Sequence, residues 1–159
     1  MSVEISNSEM QTFRDCRRKW WLQYVRRLQP LRVSKVGPLP LGTRVHAALE
    51  AHYAEGADLL SAYRDLTDHE RLVIATEGLS DEKFEDEAEL GRIMLEGYLK
   101  WVEDQGLDSD LEVIGVEEIL RYPVPLRDGS EATLLGKIDL RIVRKVSNTR
   151  AVLDFKTAA

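Results

Sequence analysis

The chain of 159 residues contains one cysteine, Cys16, and no long run of apolar residues. A single cysteine cannot form an internal disulfide, which excludes the disulfide-rich extracellular scaffolds. A membrane-spanning helix needs roughly 18 consecutive apolar residues, and a secretory signal needs a continuous apolar stretch near the N-terminus. The sequence has neither, so we expect a soluble, cytoplasmic protein without membrane contact.

The chain also lacks the overall positive charge of a general nucleic-acid-binding protein, because its net charge is −6. The charge is nevertheless segregated along the sequence. Residues 1–46 hold nine basic and three acidic side chains, residues 47–118 hold five and 21, and residues 119–159 hold eight and four. The two basic ends could therefore face a polyanion, while the acidic middle faces solvent or a protein partner.

Apolar residues recur at helical spacing through the first two thirds of the chain. Ser6 and Glu9 have the spacing of a capping box, which predicts a helix from Ser6 to about Arg27 with Cys16 as a buried thiol on its apolar side. After a loop at 30–40, a second helix is expected to start near Gly42 and to carry Val45, His46, Leu49 and Tyr53. Further helices are expected over about 57–80 and 84–102. Residues 1–110 should therefore be mainly helical.

From Leu111 onward β-branched residues become dense and the hydrophobic period approaches two. The pattern predicts three strands, at about 112–122, 133–145 and 150–156. The expected fold class is α/β, in an α+β arrangement. We expect a single domain over residues 1–159, in which the helical N-terminal half packs on a mixed sheet and residues 111–159 form a β-hairpin core.

The last two predicted strands place charged side chains on one sheet surface. Strand alternation turns Asp139 away from the apolar face and turns Asp154 and Lys156 to a common side. An even-length turn would set Asp139 opposite Asp154 or Lys156, whereas an odd-length turn would separate them. Two adjacent carboxylates suit Mg²⁺ or Mn²⁺, and a neighbouring ammonium could stabilise a phosphoryl group. The alternative is an ordinary surface Asp/Lys pair across two strands.

These residues resemble two motifs of the PD-(D/E)XK nuclease superfamily. Gly136-Lys137-Ile138-Asp139 matches the G-x-x-D element, and Asp154-Phe155-Lys156-Thr157 matches the D-x-K-T element. More narrowly, the sequence is similar to the RecB-type branch, which includes phage exonucleases and CRISPR adaptation nucleases. Three upstream elements match that branch in the same order: the F-x-x-C-x-x-K-W-x-x-x-Y helix from Phe13 to Tyr24, the G-x-x-x-H element from Gly42 to His46, and Glu117.

The resemblance implies metal-dependent hydrolysis of DNA phosphodiester bonds. It assigns four ligands to a Mg²⁺ or Mn²⁺ ion: His46, Asp139, Asp154 and the backbone carbonyl of Phe155. Lys156 would be the catalytic lysine. Glu117 would hold a water on the metal or support a second metal, although Glu118 could take the same place.

The basic and aromatic N-terminal helix suits contact with DNA. The expected DNA-binding residues are Arg14, Arg17, Arg18, Lys19 and Trp21. In the iron–sulfur members of the branch, a cysteine at the position of Cys16 joins three C-terminal cysteines around a [4Fe-4S] cluster. Cys16 could be such a ligand only if a longer chain supplied the other cysteines.

The sequence ends three residues after Lys156, whereas relatives continue with a strand and a helix. We therefore expect an N-terminal fragment of a longer nuclease. The resemblance favours an exonuclease in DNA recombination, repair or phage DNA processing. The alternative is a catalytically inactive nuclease-fold subunit for DNA binding or assembly. The acidic segment 81–96 is a candidate surface for a protein partner.

Overall fold

The computed structural model describes residues 3–31, 34–77 and 82–157. Its helices are α1 Asn7–Asp15, α2 Arg17–Trp20, α3 Pro38–Glu55, α4 Leu59–Glu77, α5 Glu82–Gln105 and α6 Leu107–Asp110, with a π-helical turn at Trp21–Val25. Its strands are β1 Val3–Ser6, β2 Leu111–Pro125, β3 Glu131–Arg144 and β4 Thr149–Leu153. The predicted α/β class is confirmed. Within the described ranges, no helix is both long enough and apolar enough to cross a membrane.

The chain forms two compact units. The first unit contains residues 1–33 and 118–138, and the second contains residues 34–117 and 139–159. In the first unit β1 pairs with β3 in parallel, from Val3 opposite Ala132 to Ser6 opposite Leu135. In the second unit β3 pairs with β4 antiparallel. The sheet is therefore mixed, as expected.

The N-terminal helix differs from its prediction at Cys16. Ser6 caps α1 as expected, because its hydroxyl accepts a hydrogen bond from the Glu9 amide at 3.1 Å. The Glu9 carboxylate accepts a hydrogen bond from the Trp20 indole at 2.9 Å. Cys16 is extended and exposed, and its sulfur accepts a hydrogen bond from the Lys19 amide that begins α2. The prediction of a continuous helix with a buried thiol is therefore wrong, because the thiol serves as a helix cap.

Helix α3 begins at Pro38, about one turn before the start expected at Gly42. Proline suits a first helical position because its missing amide hydrogen would have no partner there. The preceding Gly37 amide donates to the Glu87 carboxylate, 50 residues away in the sequence, at 2.7 Å. The helix ends at Gly56, whose φ of 72° suits a residue without a side chain. The early start depends on a tertiary contact that local patterns do not contain.

The remaining elements follow their predictions with modest shifts at the ends. The helices expected over 57–80 and 84–102 correspond to α4 and α5, and residues 78–80 lie outside the described part of the chain. Strand β4 ends at Leu153, earlier than expected, because Asp154–Thr157 continue without strand pairing. Strand β1 was not predicted, since four residues are too few for an alternating pattern to be recognised.

The helical core of the second unit is built from α3, α4 and α5. Its buried residues are Leu41, Val45, Ala48, Leu49, Leu59, Tyr63 and Leu95. Gly91 of α5 lies against Tyr63 of α4, since a Cβ atom there would clash with the Tyr63 hydroxyl and lie 3.0 Å from Leu41 Cδ1. The same hydroxyl donates to the Ala88 carbonyl at 3.1 Å. Gly91 is therefore required by packing.

We expect Gly91→Ala to lower the free energy of unfolding by about 1–3 kcal/mol, because the added methyl group overpacks this contact. Gly97→Ala, on the same helix, is the matched control, since no atom lies within 4 Å of its added Cβ. The control should raise the free energy of unfolding by up to about 1 kcal/mol through helix propensity. Urea denaturation measures both changes, and equal effects of the two substitutions would contradict the packing argument.

Candidate metal centre

Three side chains from three different elements of the second unit converge on one point. His46 lies on α3, Glu117 on β2 and Asp139 on β3, and their ligand atoms all lie within 4.8 Å of one another. His46 Nδ1 is 3.9 Å from Glu117 Oε1 and 3.7 Å from Asp139 Oδ2. The Glu117 and Asp139 side chains are only 8% and 12% exposed, and that of His46 is 29% exposed.

This donor set fits a divalent metal ion. Two carboxylates this close and this shielded from water repel each other unless a cation or a proton neutralises them. Carboxylate oxygens are the ligands that Mg²⁺ and Mn²⁺ prefer, and an imidazole nitrogen is compatible with Mn²⁺. His46, Glu117 and Asp139 are therefore the described residues that could hold the ion.

The backbone at Glu117 explains why this residue joins the group. Its φ is 52°, a left-handed conformation that is uncommon for a residue with a side chain and unusual within a strand. Such a residue interrupts the regular alternation of a strand and redirects a side chain, as a bulge does. The sequence left Glu117 and Glu118 as alternatives, and the structure places Glu117 beside His46 and Asp139.

The register of β3 and β4 aligns the two aspartates. Leu140 pairs with Leu153 and Arg144 with Thr149, so the intervening turn has the even length that the alignment requires. Asp139 consequently faces the start of the Asp154–Thr157 segment, and its Oδ2 accepts a hydrogen bond from the Phe155 amide at 2.6 Å. This bond anchors a carboxylate of the metal group to the backbone of the D-x-K-T motif.

The turn itself is held by a residue that the sequence reasoning did not single out. The Asp110 carboxylate accepts hydrogen bonds from the Val146 amide and from Arg144 Nε, both at 2.9 Å. These bonds, first the one from Val146, lower the pKa of Asp110. Asp110 thereby helps to set the turn length on which the alignment of the aspartates depends.

Asp154 and Lys156 form a pair beside the metal group. Lys156 Nζ lies 2.8 Å from Asp154 Oδ1 and 2.7 Å from Asp154 Oδ2, and both side chains are exposed. The hydrogen bond from Lys156 lowers the pKa of Asp154, with smaller contributions from Asp139 and His46. The same bond raises the pKa of Lys156. Lys156 is therefore a protonated ammonium at neutral pH. Asp154 is not one of the three residues whose ligand atoms lie within 4.8 Å of one another.

An aromatic cluster supports the segment that carries this pair. The Phe155 ring stacks on Tyr53 at 17° with centroids 6.2 Å apart, and Tyr98 approaches edge-on at 5.7 Å. His46 also meets the Phe155 ring edge-on at 6.3 Å. The Tyr53 and Tyr98 hydroxyls are hydrogen-bonded to each other, and burial is the main cause that raises both their pKa values. Nothing local in the sequence indicated this cluster.

Helix α3 also approaches the D-x-K-T segment directly. A Cβ atom at Gly42 would lie 2.9 Å from Thr157 Oγ1, so the absence of a side chain permits this approach. Gly42 and His46 are the two ends of the G-x-x-x-H element. The glycine allows the helix to lie against the segment, and the histidine one turn later reaches the carboxylates.

The predicted DNA-binding residues lie in the first unit. Arg14, Arg17, Arg18 and Lys19 are all exposed. Trp21 is 43% exposed, with the Arg26 guanidinium 5.2 Å from its ring centroid. Arg18 and Lys19 line an open cavity of about 910 Å³ that also includes Cys16 and Tyr24. This unit therefore presents positive charge together with accessible aromatic surface.

The acidic segment 81–96 is largely engaged within the chain, and its first residue, Asp81, lies outside the described residues. Glu85 pairs with Arg71, and Glu87 pairs with Arg44. Arg92 pairs with two further carboxylates of the segment. A protein partner at this surface remains a prediction.

The fold and the His–Glu–Asp group define the chain as a nuclease-type α/β protein with a candidate site for a divalent metal. A model of the PD-(D/E)XK nuclease superfamily matches residues 4–159, and the chain belongs to this superfamily of metal-dependent nucleases. Searches of the curated proteins and of the solved structures found no match. The RecB-type branch and the [4Fe-4S] role of Cys16 remain predictions.

We expect Lys156→Met to raise the pKa of Asp154 towards the ordinary carboxyl range, because the ionised carboxylate loses its main hydrogen-bond donor. Titration of the side-chain carboxyl carbon by NMR measures the shift. Lys100→Met, which removes an exposed lysine from α5, is the control and should leave the Asp154 pKa unchanged. An unaltered Asp154 pKa in Lys156→Met would contradict the pairing.

Proposed function

We propose that this protein hydrolyses DNA phosphodiester bonds with the help of Mg²⁺ or Mn²⁺. The convergence of His46, Glu117 and Asp139 within 4.8 Å carries the proposal, because these side chains form a metal-binding donor set. Asp154 and the backbone carbonyl of Phe155 are proposed as further ligands, as the superfamily resemblance implies. Superfamily membership over residues 4–159 supports this assignment.

A bound divalent ion supplies a Lewis acid that polarises a phosphate oxygen and lowers the pKa of a water molecule. The Phe155 amide orients Asp139 through a 2.6 Å hydrogen bond, so this carboxylate is already positioned before any ion binds. An aspartate is ordinarily ionised at neutral pH, and the hydrogen bond from Lys156 lowers the pKa of Asp154 further. It therefore presents negative charge beside the group.

Lys156 has an electrostatic part in the proposed reaction. Its hydrogen bond to Asp154 raises the pKa of Lys156, which favours the protonated ammonium at neutral pH. A fixed ammonium next to the carboxylates can stabilise the negative charge that develops on a phosphoryl group. Its Nζ hydrogens can also orient the attacking water.

DNA is proposed as the substrate because of the basic surface of the first unit. Exposed arginine and lysine side chains bind phosphates and release counterions, and an accessible tryptophan can stack on a base. Arg14, Arg17, Arg18, Lys19 and Trp21 are the residues proposed to make these contacts. Exonuclease action, and a role in DNA recombination, repair or phage DNA processing, are supported by the RecB-type resemblance alone.

We expect Lys156→Ala and Asp154→Ala each to reduce DNA cleavage by about 100-fold or more, because each removes charge stabilisation or a proposed metal ligand. Both side chains are exposed, so the unfolding midpoint should change little. The assay digests end-labelled linear single- and double-stranded DNA with Mg²⁺, Mn²⁺ or EDTA. Asp65→Ala, at an exposed position of α4, is the matched control.

The cleavage products, or the absence of cleavage, distinguish the candidate functions. Single-nucleotide products from a labelled end indicate an exonuclease, and internal fragments indicate an endonuclease. Wild-type cleavage rates in Lys156→Ala would refute the assignment. Metal-independent DNA binding without turnover would support the inactive-subunit alternative.

We expect Arg18→Gln to weaken DNA binding in EDTA and to make the slope of log K against log salt shallower by about 0.7–0.9, because one phosphate contact is lost. Fluorescence anisotropy with labelled DNA at several salt concentrations measures both quantities. Arg92→Gln is the control, since that arginine already pairs with Glu89 and Glu96 in the second unit. Identical salt slopes for wild type and Arg18→Gln would exclude this contact.

A further inference from the structure

Arg44 is a charged residue buried among the helices of the second unit. Its side chain is 3% exposed. Arg44 Nη1 donates to Glu70 Oε2 on α4 at 2.8 Å and to the Lys35 carbonyl at 3.0 Å, and Nη2 lies 3.4 Å from Glu87 Oε2 on α5. The guanidinium carbon also lies 4.9 Å from the centroid of the Phe84 ring.

These contacts fix the orientation of α3. Both Nη atoms of the guanidinium are paired, whereas Nε is buried without a hydrogen-bond partner. A planar guanidinium meets several acceptors and a ring in only one orientation. Glu87 also accepts a hydrogen bond from the Gly37 amide at the start of α3. The helix is therefore tied to α5 at its first turn and to both α4 and α5 at Arg44.

Arg44 and His46 project from nearly opposite sides of α3. Two positions along an α-helix correspond to a rotation of about 200°. Arg44 faces α4 and α5, whereas His46 faces Glu117 and Asp139. A side-chain atom roughly 6 Å from the helix axis moves by about 1 Å when the helix rotates by about 10°. Such a displacement is about a quarter of the 3.7 Å that separates His46 Nδ1 from Asp139 Oδ2, so it would change the geometry of the group.

We propose that Arg44 is a positioning residue for His46: its ion pairs with Glu70 and Glu87 set the rotation of α3 and thereby hold the imidazole against the two carboxylates. This inference rests on the proposed metal centre. Arg44 touches neither the carboxylates of that centre nor the reacting atoms, and it acts through the helix alone. Arg44 lies between Gly42 and His46, so a middle residue of the G-x-x-x-H element also supports the metal centre.

The first test observes the histidine without metal. Arg44→Lys keeps the charge but loses the planar fork, and Arg44→Met removes the charge as well. Both should shift the His46 imidazole signals in NMR spectra of the metal-free protein, with His46→Gln used for assignment and exposed His69 as an internal reference. Glu70→Gln provides a milder variant that should shift the same signals if Arg44→Met does not fold.

The second test measures Mn²⁺ affinity by titration calorimetry. Arg44→Lys should bind Mn²⁺ about tenfold more weakly than the wild type, which is typical when the support of a metal ligand is lost. The matched control is Val102→Ala, which removes a buried apolar side chain near the C-terminal end of α5, 15 residues along the chain from Glu87. At temperatures where it is folded, this variant should retain the His46 signals and the Mn²⁺ affinity of the wild type.

The outcomes separate the inference from the proposed function. Folded Arg44→Lys with unchanged His46 signals would overturn the positioning role, even if its stability fell. Equal changes in Arg44→Lys and Val102→Ala would also overturn it, because they would indicate a general loss of stability. A wild-type chain without Mn²⁺ affinity would count against the proposed metal centre, and the imidazole signals would still decide the role of Arg44.

Discussion

The buried guanidinium of Arg44 is the interaction on which the second unit depends. It joins α3, α4 and α5 through Glu70, Glu87 and the face of Phe84, in a region otherwise filled by apolar side chains. Removing both carboxylates would leave the Arg44 charge uncompensated away from water, which costs more than the pairs contribute. The helices are therefore held in one arrangement, and α3 presents its other face to the β-hairpin.

On the face of α3 that carries His46, the candidate site combines two carboxylates shielded from water with an exposed ion pair. Glu117 and Asp139 are shielded carboxylates that could hold a cation, and a left-handed backbone residue and an amide hydrogen bond hold them in place. Asp154 and Lys156 are exposed and neutralise each other. The Phe155 ring lies between these two residues in sequence and packs against Tyr53 and Tyr98. The site thus consists of a fixed inner group and an accessible outer pair.

Most of the elements could be predicted because their signals are local. The capping hydroxyl of Ser6, the helical period of α4 and α5 and the alternation of β3 each depend on residues a few positions apart. Predictions failed where a distant partner decided the outcome. Helix α3 starts earlier than predicted, where Gly37 donates to the distant Glu87 carboxylate. Val3–Ser6 form a strand because they pair with β3. At Cys16 the period of the apolar residues predicted a continuous helix, but the extended backbone of Cys16 ends α1.

The sequence by itself determined the α/β class through residue types and short spacings. Strand alternation indicated Asp139, Asp154 and Lys156, and the superfamily resemblance added His46 and Glu117. Only the tertiary structure decided which of these residues meet. It placed Glu117 beside His46 and Asp139, paired Asp154 with Lys156, and brought Arg44, Tyr53 and Tyr98 into supporting positions. The physical reason is that strand register, backbone strain and buried charge pairing arise between segments far apart in the chain.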